Sequence, residues 1–279
     1  MNRLIAASAV LVGLACLLYV RPLAQERVQF IVPGTPQISA ADAIKPVPRL
    51  PDGKVDLTGP WVGGGSNGDI EADGGLKDGE LPLLPWAKTL RDSRNDGDEP
   101  YLYCTPMSVP RVNPYPWNFL QSVTSKGPGT IYITHENGDA GRIRHIFMDG
   151  RPHPDDLIPS WWGHSTGRWE KDTLVIDTVG YNDKFWVDSR GTPHTEQMHT
   201  VERWTRVTYG VMTNDFTLDD PGAFSRPVQL KFTAKAAPPG SELMEFVCTE
   251  NNQFGIAGGI ENKYKDAGYG LEVSPGNQK

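Results

Sequence analysis

From Asn118 onward, apolar and polar residues alternate in short runs. Thr130–Glu136 sets Ile131 and Ile133 against Tyr132, Thr134 and Glu136. A period of two marks a strand with two unlike faces. Arg142–Met148 puts Ile143, His145 and Phe147 on one face. That face reads as buried, with His145 a core histidine. Arg168–Glu170 and Thr173–Thr178 flank a tight turn and predict a hairpin. Gln197–Val207, Val211–Leu218, Val228–Ala234 and Leu243–Thr249 read as further strands. Upstream, the proline-rich residues 25–56 read as a linker or a surface strap. Residues 63–80, rich in glycine and acids, read as a mobile loop. One short helix is expected near Trp86–Arg94.

Many short strands without intervening helical pattern predict an antiparallel all-β domain over residues 57–255, with long Pro/Gly-rich loops and a tail at 256–279. Periodicity does not separate a sandwich from a barrel. Thr58-Gly59-Pro60-Trp61 resembles the Gly-x-Trp that opens lipocalin-like barrels, which favours a barrel. The 30 glycines and 24 prolines argue against long helices.

Residues 1–24 do not fit this pattern. Arg3 precedes an uncharged run from Leu4 to Val20. That is the layout of a secretory signal, so the expected location is periplasmic or secreted. The rival is an uncleaved anchor, which would be the only membrane contact. Outside this segment two cysteines remain, Cys104 and Cys248. In an exported chain they either pair or stay buried as free thiols. An oxidising compartment with no third exported cysteine favours the disulfide. The net charge of −7, with no basic block, opposes nucleic-acid binding.

Several motifs carry chemistry only in the right context. Gly63-Gly64-Gly65-Ser66-Asn67-Gly68 matches G-x-G-x-x-G, but an acidic, glycine-rich segment follows instead of a phosphate-binding helix. Gly163-His164-Ser165-Thr166-Gly167 matches G-x-S-x-G, but a hairpin follows where a nucleophile elbow needs a helix. The six histidines form no H-x-H pair, and no C-x-x-C is present, so neither a metal nor another cofactor is expected.

Five of the eight tryptophans fall between Trp161 and Arg206, among carboxylates and histidines. Such a stretch suits a sugar-like or aromatic small molecule. Parity puts His199, Val201 and Arg203 on one strand face, read as inward, where a His and an Arg are costly to bury without a purpose. The expected catalytic set is His199 as base, Arg203 as electrostatic stabiliser, and Tyr181 or Glu202 as proton donor. Trp162, His164, Trp186 and Trp204 are the expected substrate contacts. Lyase, isomerase and hydrolase chemistry all stay open. A non-catalytic barrel that carries a small-molecule or glycan ligand is the alternative.

Three segments then stand together: Asp149-Gly150-Arg151-Pro152-His153-Pro154, Gly163 to Thr178, and His199-Thr200-Val201-Glu202-Arg203. They resemble a broad family of exported bacterial proteins with signatures close to DGRxHP, GxSxGxWEGDTLVVDT and HxVER. Cys104-Thr105-Pro106 and Glu245 to Asn251 are similar to its two cysteine segments. The resemblance covers about residues 55–255. It implies export and a β-rich fold, and it carries no reaction with it. The chain departs from the pattern at Lys171, where the family has glycine, and at His164, where an aromatic is common.

Overall fold

The computed structural model describes residues 38–66, 68–113, 115–124, 127–137 and 143–248. The signal segment and the C-terminal tail expected from the sequence lie outside them. Among the described residues no helix is long and apolar enough to cross a membrane.

Nine strands close into a barrel, each paired to the next in chain order. They are β1 (Pro60–Gly63), β2 (Trp117–Thr124), β3 (Gly127–His135), β4 (Ile143–Phe147), β5 (His164–Glu170), β6 (Thr173–Val179), β7 (His199–Thr208), β8 (Val211–Asp219) and β9 (Val228–Ala236). β9 pairs back onto β1 through Trp61 and Ala236. The alternation is plain in β9, where Val228, Leu230, Phe232, Ala234 and Ala236 are buried and the residues between them are exposed. Closure leaves no free sheet edge.

An odd strand number has a topological consequence. Strands that strictly alternate direction can close only in even numbers, so nine strands force one parallel pair. That pair is β4 and β5, in register at Ile146 with Ser165 and Phe147 with Thr166. A parallel pair needs a crossover connection. Residues 148–163 provide it, carrying Arg151, His153, Trp161 and Trp162 from one end of the barrel to the other.

The β1–β2, β3–β4, β6–β7 and β8–β9 connections all leave the same end. The longest, between Gly63 and Trp117, folds into a cap that holds α1 (Ile70–Asp73) and α2 (Pro85–Ser93). Helix α2 is the one expected near Trp86–Arg94. Its first residue is a proline, whose missing N–H is no loss at a helix start. Ile70, Ala87, Met107, Val109 and Val112 of the cap pack on Tyr181, Phe185, Phe216 and Leu230. The stretch read as a mobile loop is therefore packed structure. Ser66, Ile70 and Glu71 are buried, and a Cβ on Gly65 would clash with the Pro110 carbonyl oxygen. At the opposite end Val55 and Leu57 of the strap close the barrel under Trp61, Trp117, Phe119 and Trp204. The Arg206 guanidinium lies 4.8 Å from the Trp61 ring centre.

Cys104 and Cys248 form the disulfide, with Cα atoms 5.5 Å apart. The segment before Cys248 is not the expected strand. Leu243 to Val247 run without regular structure, and Met244 and Phe246 are exposed. The β4 expectation is also reversed. Arg144 and Ile146 point inward, and Ile143 and His145 are exposed, so His145 is not a core residue and meets Tyr132 edge-on instead.

Candidate functional site

Strands β5, β6 and β7 carry polar residues on both faces, and each face builds its own cluster. Gly163 opens β5 with φ +62°, and a Cβ there would lie 2.5 Å from the Val179 carbonyl oxygen. Only glycine fits that entry. It delivers His164 to the outer wall. Asp177 follows on β6 and His199 on β7, and the crossover lays His153 against them.

The outer cluster is a chain of hydrogen bonds. Asp177 Oδ1 accepts from His199 Nε2 at 2.9 Å and from His153 Nε2 at 3.1 Å. His153 Nδ1 meets His164 Nδ1 at 2.8 Å. At that separation one nitrogen donates and the other accepts, so the two rings share a single proton. The side chains are 24% (His153), 28% (Asp177) and 38% (His199) exposed, so solvent reaches all three. The hydrogen bond from His199 holds Asp177 below the usual carboxylate range, against partial burial. The same bond raises the His199 pKa. His164 is pushed down by burial and by the neighbouring charges of His153 and Arg151. Phe147 stacks on His164 with ring centres 5.1 Å apart, and the Arg151 guanidinium lies 4.1 Å from the Phe147 ring centre. Among the described residues no group of three His, Cys, Asp or Glu side chains is arranged to hold a metal ion.

The inner cluster is buried. Arg144 Nη1 lies 2.6 Å from Glu202 Oε1, both side chains at most 1% exposed. Arg144 also donates to Ser165 Oγ at 3.1 Å and Thr178 Oγ1 at 2.7 Å. Trp204 Nε1 donates to Glu202 Oε2 at 3.0 Å. The Tyr181 hydroxyl pairs with Thr200 Oγ1 at 2.8 Å, and burial pushes its pKa up to about 12. His135 is buried with its ring stacked on Trp162. Neither of its nitrogens has a partner among the described residues. Burial, with the Arg144 charge, lowers its pKa to about 3.

The structure thus divides the expected site. His199 and Arg203 share a face as read, but it is the outer one. Thr200, Glu202, Trp204 and Arg206 are the inward residues of β7. Arg203 is 41% exposed and paired with Glu170 at 2.7 Å. It stands four residues from His199, roughly 13 Å at the rise of a strand. Tyr181 and Glu202 lie inside the barrel, on the other side of the wall from His199. His164 joins the outer cluster. Trp204 belongs to the core, Trp162 covers His135, and Trp186 sits in the cap under the Arg94 guanidinium. Among the described residues no ring contact joins a tryptophan of this set to His199, so they show no Trp-lined pocket around it. Sequence reasoning missed the roles of His153, Asp177, Arg144 and His135. One signal was present: Leu174 and Ile176 share parity with Thr178, which turns Asp177 to the opposite face.

The chain matches no protein family model, no curated protein and no solved structure.

Proposed function

We propose that the protein is an exported acid–base enzyme acting on a sugar-like or aromatic small molecule, with the outer-wall cluster as its reaction centre. One observation carries the reading: Asp177 Oδ1 is shared by two solvent-accessible imidazoles, at 2.9 and 3.1 Å. His199 donates Nε2–H to Asp177, which leaves Nδ1 as the proton acceptor. The carboxylate orients the ring and stabilises the imidazolium that forms. His153 and His164, hydrogen-bonded through their Nδ1 atoms beside Asp177, are the proton donors of this reading, and the donating form is the imidazolium, which returns to a neutral ring once its proton is given up. Arg151, beside His164, takes the stabilising role first read for Arg203. The signature resemblance supports the assignment, because His153, Asp177 and His199 all fall on fixed letters of it. Export is supported by the Cys104–Cys248 disulfide and by the charged-then-apolar N-terminus.

The test is turnover on a panel of aryl glycosides, polyuronates and hydroxybenzoates. His199→Gln and Asp177→Asn should each lower the rate by about 10²–10⁴-fold, with circular dichroism unchanged. A His199→Gln variant that works at the wild-type rate refutes the base assignment.

A further inference from the structure

The crossover between β4 and β5 has few ties to the wall it lies on. Backbone hydrogen bonds pin its far end: Ser160 N–H donates to the Gly180 carbonyl at 3.0 Å, and Asn182 N–H to the Ser160 carbonyl at 2.8 Å. Over residues 149–159, among the described residues, the hydrogen bonds that reach the barrel are those of His153, to Asp177 and His164. The other contacts are Arg151 over Phe147 and Leu157 beside Gly180. Ile158 stands 87% exposed. One imidazole therefore fastens the segment.

Geometry fixes the proton count of that fastening. His153 donates Nε2–H to Asp177, so in the neutral ring Nδ1 is bare and accepts from His164 Nδ1–H. His164 Nε2 is then the vacant site. A first added proton fills it, and the Nδ1–Nδ1 hydrogen bond at 2.8 Å persists. A second added proton finds only His153 Nδ1. Both Nδ1 atoms then carry hydrogen and point at each other, and the hydrogen bond becomes repulsion between two cations.

The surrounding charges do not offset this. Asp177 on β6 is the carboxylate in contact, and His199 on β7 already binds the same oxygen at 2.9 Å. That bond raises His199, with Asp219 adding to it, while His164 is lowered. His199 is thus charged before the pair is full, and three imidazolium rings would share one carboxylate. Arg151 adds positive charge beside His164, and Asp149 is taken up by Arg151. Phe147 on β4 and Thr166 on β5 carry no charge. Arg168 and Arg203, farther along the wall, are both held by Glu170. Asp155 and Asp156 follow His153 on the crossover but are exposed, where water and salt screen them.

We infer that residues 149–159 form a strap released by acid: it lies closed on the outer-wall cluster while His153 and His164 share a proton, and it lets go when both rings are charged. This rests on the acid–base reading only in taking that cluster for a reaction centre. What it adds is regulation, because release takes His153 off Asp177 and opens that side of the cluster. The second proton enters against the first, so release falls below the ordinary imidazole value of about 6.5.

The test is limited proteolysis of the full protein by a Glu/Asp-specific endopeptidase, from about pH 7.5 down to about pH 4.5 to bracket that value. Cleavage at Asp149, Asp155 and Asp156 is read by mass spectrometry. Comparing variants at each pH cancels the pH profile of the protease. His164→Phe keeps a ring on Phe147 and removes the second charge, so its strap should stay closed in acid. Wild type should be cut about tenfold faster than His164→Phe at the acid end and no faster at the neutral end, since cleavage tracks the open population and one proton shifts it up to tenfold per pH unit. His153→Ala has no fastening and should be cut rapidly at every pH. Equal cleavage of wild type and His164→Phe in acid, slow cleavage of His153→Ala, or acid cleavage that comes with loss of the circular dichroism signal of the barrel would each overturn the proposal. The readout needs no substrate, so a failed turnover panel would sink the acid–base reading and leave the strap standing.

Discussion

Two Arg–Glu pairs on the same barrel have nearly the same length and opposite surroundings. Arg144 and Glu202 meet at 2.6 Å inside the barrel, and neither side chain is more than 1% exposed. Arg203 and Glu170 meet at 2.7 Å on the outer wall, each about 40% exposed. Glu202 and Arg203 are sequence neighbours, and strand alternation alone sends them to opposite sides. Position relative to the wall, not residue type or contact distance, sets what a polar group does here. Inside, the Arg144 and Glu202 charges are held by each other and by the Ser165, Thr178 and Trp204 side chains, away from solvent. Outside, they stay solvated, titratable and within reach of a ligand.

The largest expected effect tests that contrast. Removing one member of a buried ion pair leaves the other charge uncompensated, at a cost of about 3–5 kcal/mol. Glu202→Gln should therefore lower the stability measured by urea unfolding by about that amount. Glu170→Gln should leave the unfolding midpoint where it is, since water takes over the role of the lost partner. Equal effects at the two positions would erase the distinction between the walls.

A second contrast is in the histidines. His199 is raised from its ordinary value near 6.5 by the hydrogen bond to Asp177, with burial opposing. The stability this contributes is complete below the unfolded value and is lost as pH rises through the folded one. Asp177 is lowered from 3.8 by the same bond. Its contribution is present above the unfolded value and is lost as pH falls through the folded one. The pair is thus strongest between these limits, in mildly acidic solution. His135 behaves in the opposite sense. Its folded pKa of about 3 lies below the unfolded 6.5. The unfolded chain then takes up a proton that the folded chain refuses, so stability falls as pH drops from 6.5 towards 3. Imidazole resonances followed by NMR should show His199 titrating above 6.5 and His135 silent down to about pH 4. In Asp177→Asn the His199 midpoint should drop. A His135 resonance that titrates near neutrality would mean that the inner wall is wet.

This difference also explains what could be read in the sequence. The strands were legible wherever one face was apolar, as in β3, β8 and β9. The hairpin at Lys171 and the helix before Arg94 followed from turn and helix signals. The side facing inward was not legible in β7. Parity groups His199 with Arg203 and Glu202 with Trp204, but it has no sign, and both groups are polar enough to stand on either face. Trp204 in phase with Glu202 was the better clue to the core. The β4 reading failed for the same reason: Ile143 and Phe147 outweighed Ile146, and the buried Arg144 disguised the inner face. The His153–His164 contact was beyond local reasoning altogether. It depends on the crossover that an odd strand number requires, and nothing local in Asp149 to Pro154 announces that connection.

The smallest expected effect lies in the turn that joins β5 to β6, the strands that carry both clusters. Lys171 sits there at φ +55°. A left-handed backbone costs a residue with a Cβ about 1–2 kcal/mol, and glycine escapes that cost. Glycine also gives the unfolded chain more freedom, which cancels roughly 0.5–1 kcal/mol of the gain. The register from His164 with Val179 to Glu170 with Thr173 is fixed along the whole hairpin. Relieving the turn should therefore leave both walls unmoved. Lys171→Gly should raise the melting temperature by about 1–3 °C, given some 2–4 °C per kcal/mol for a domain of this size. The His199 titration should stay where it is. A lower melting temperature would show that the Lys171 side chain contributes more than its backbone costs. A shifted His199 titration would show that the turn sets the outer-wall geometry, and that the two ends of the hairpin are coupled.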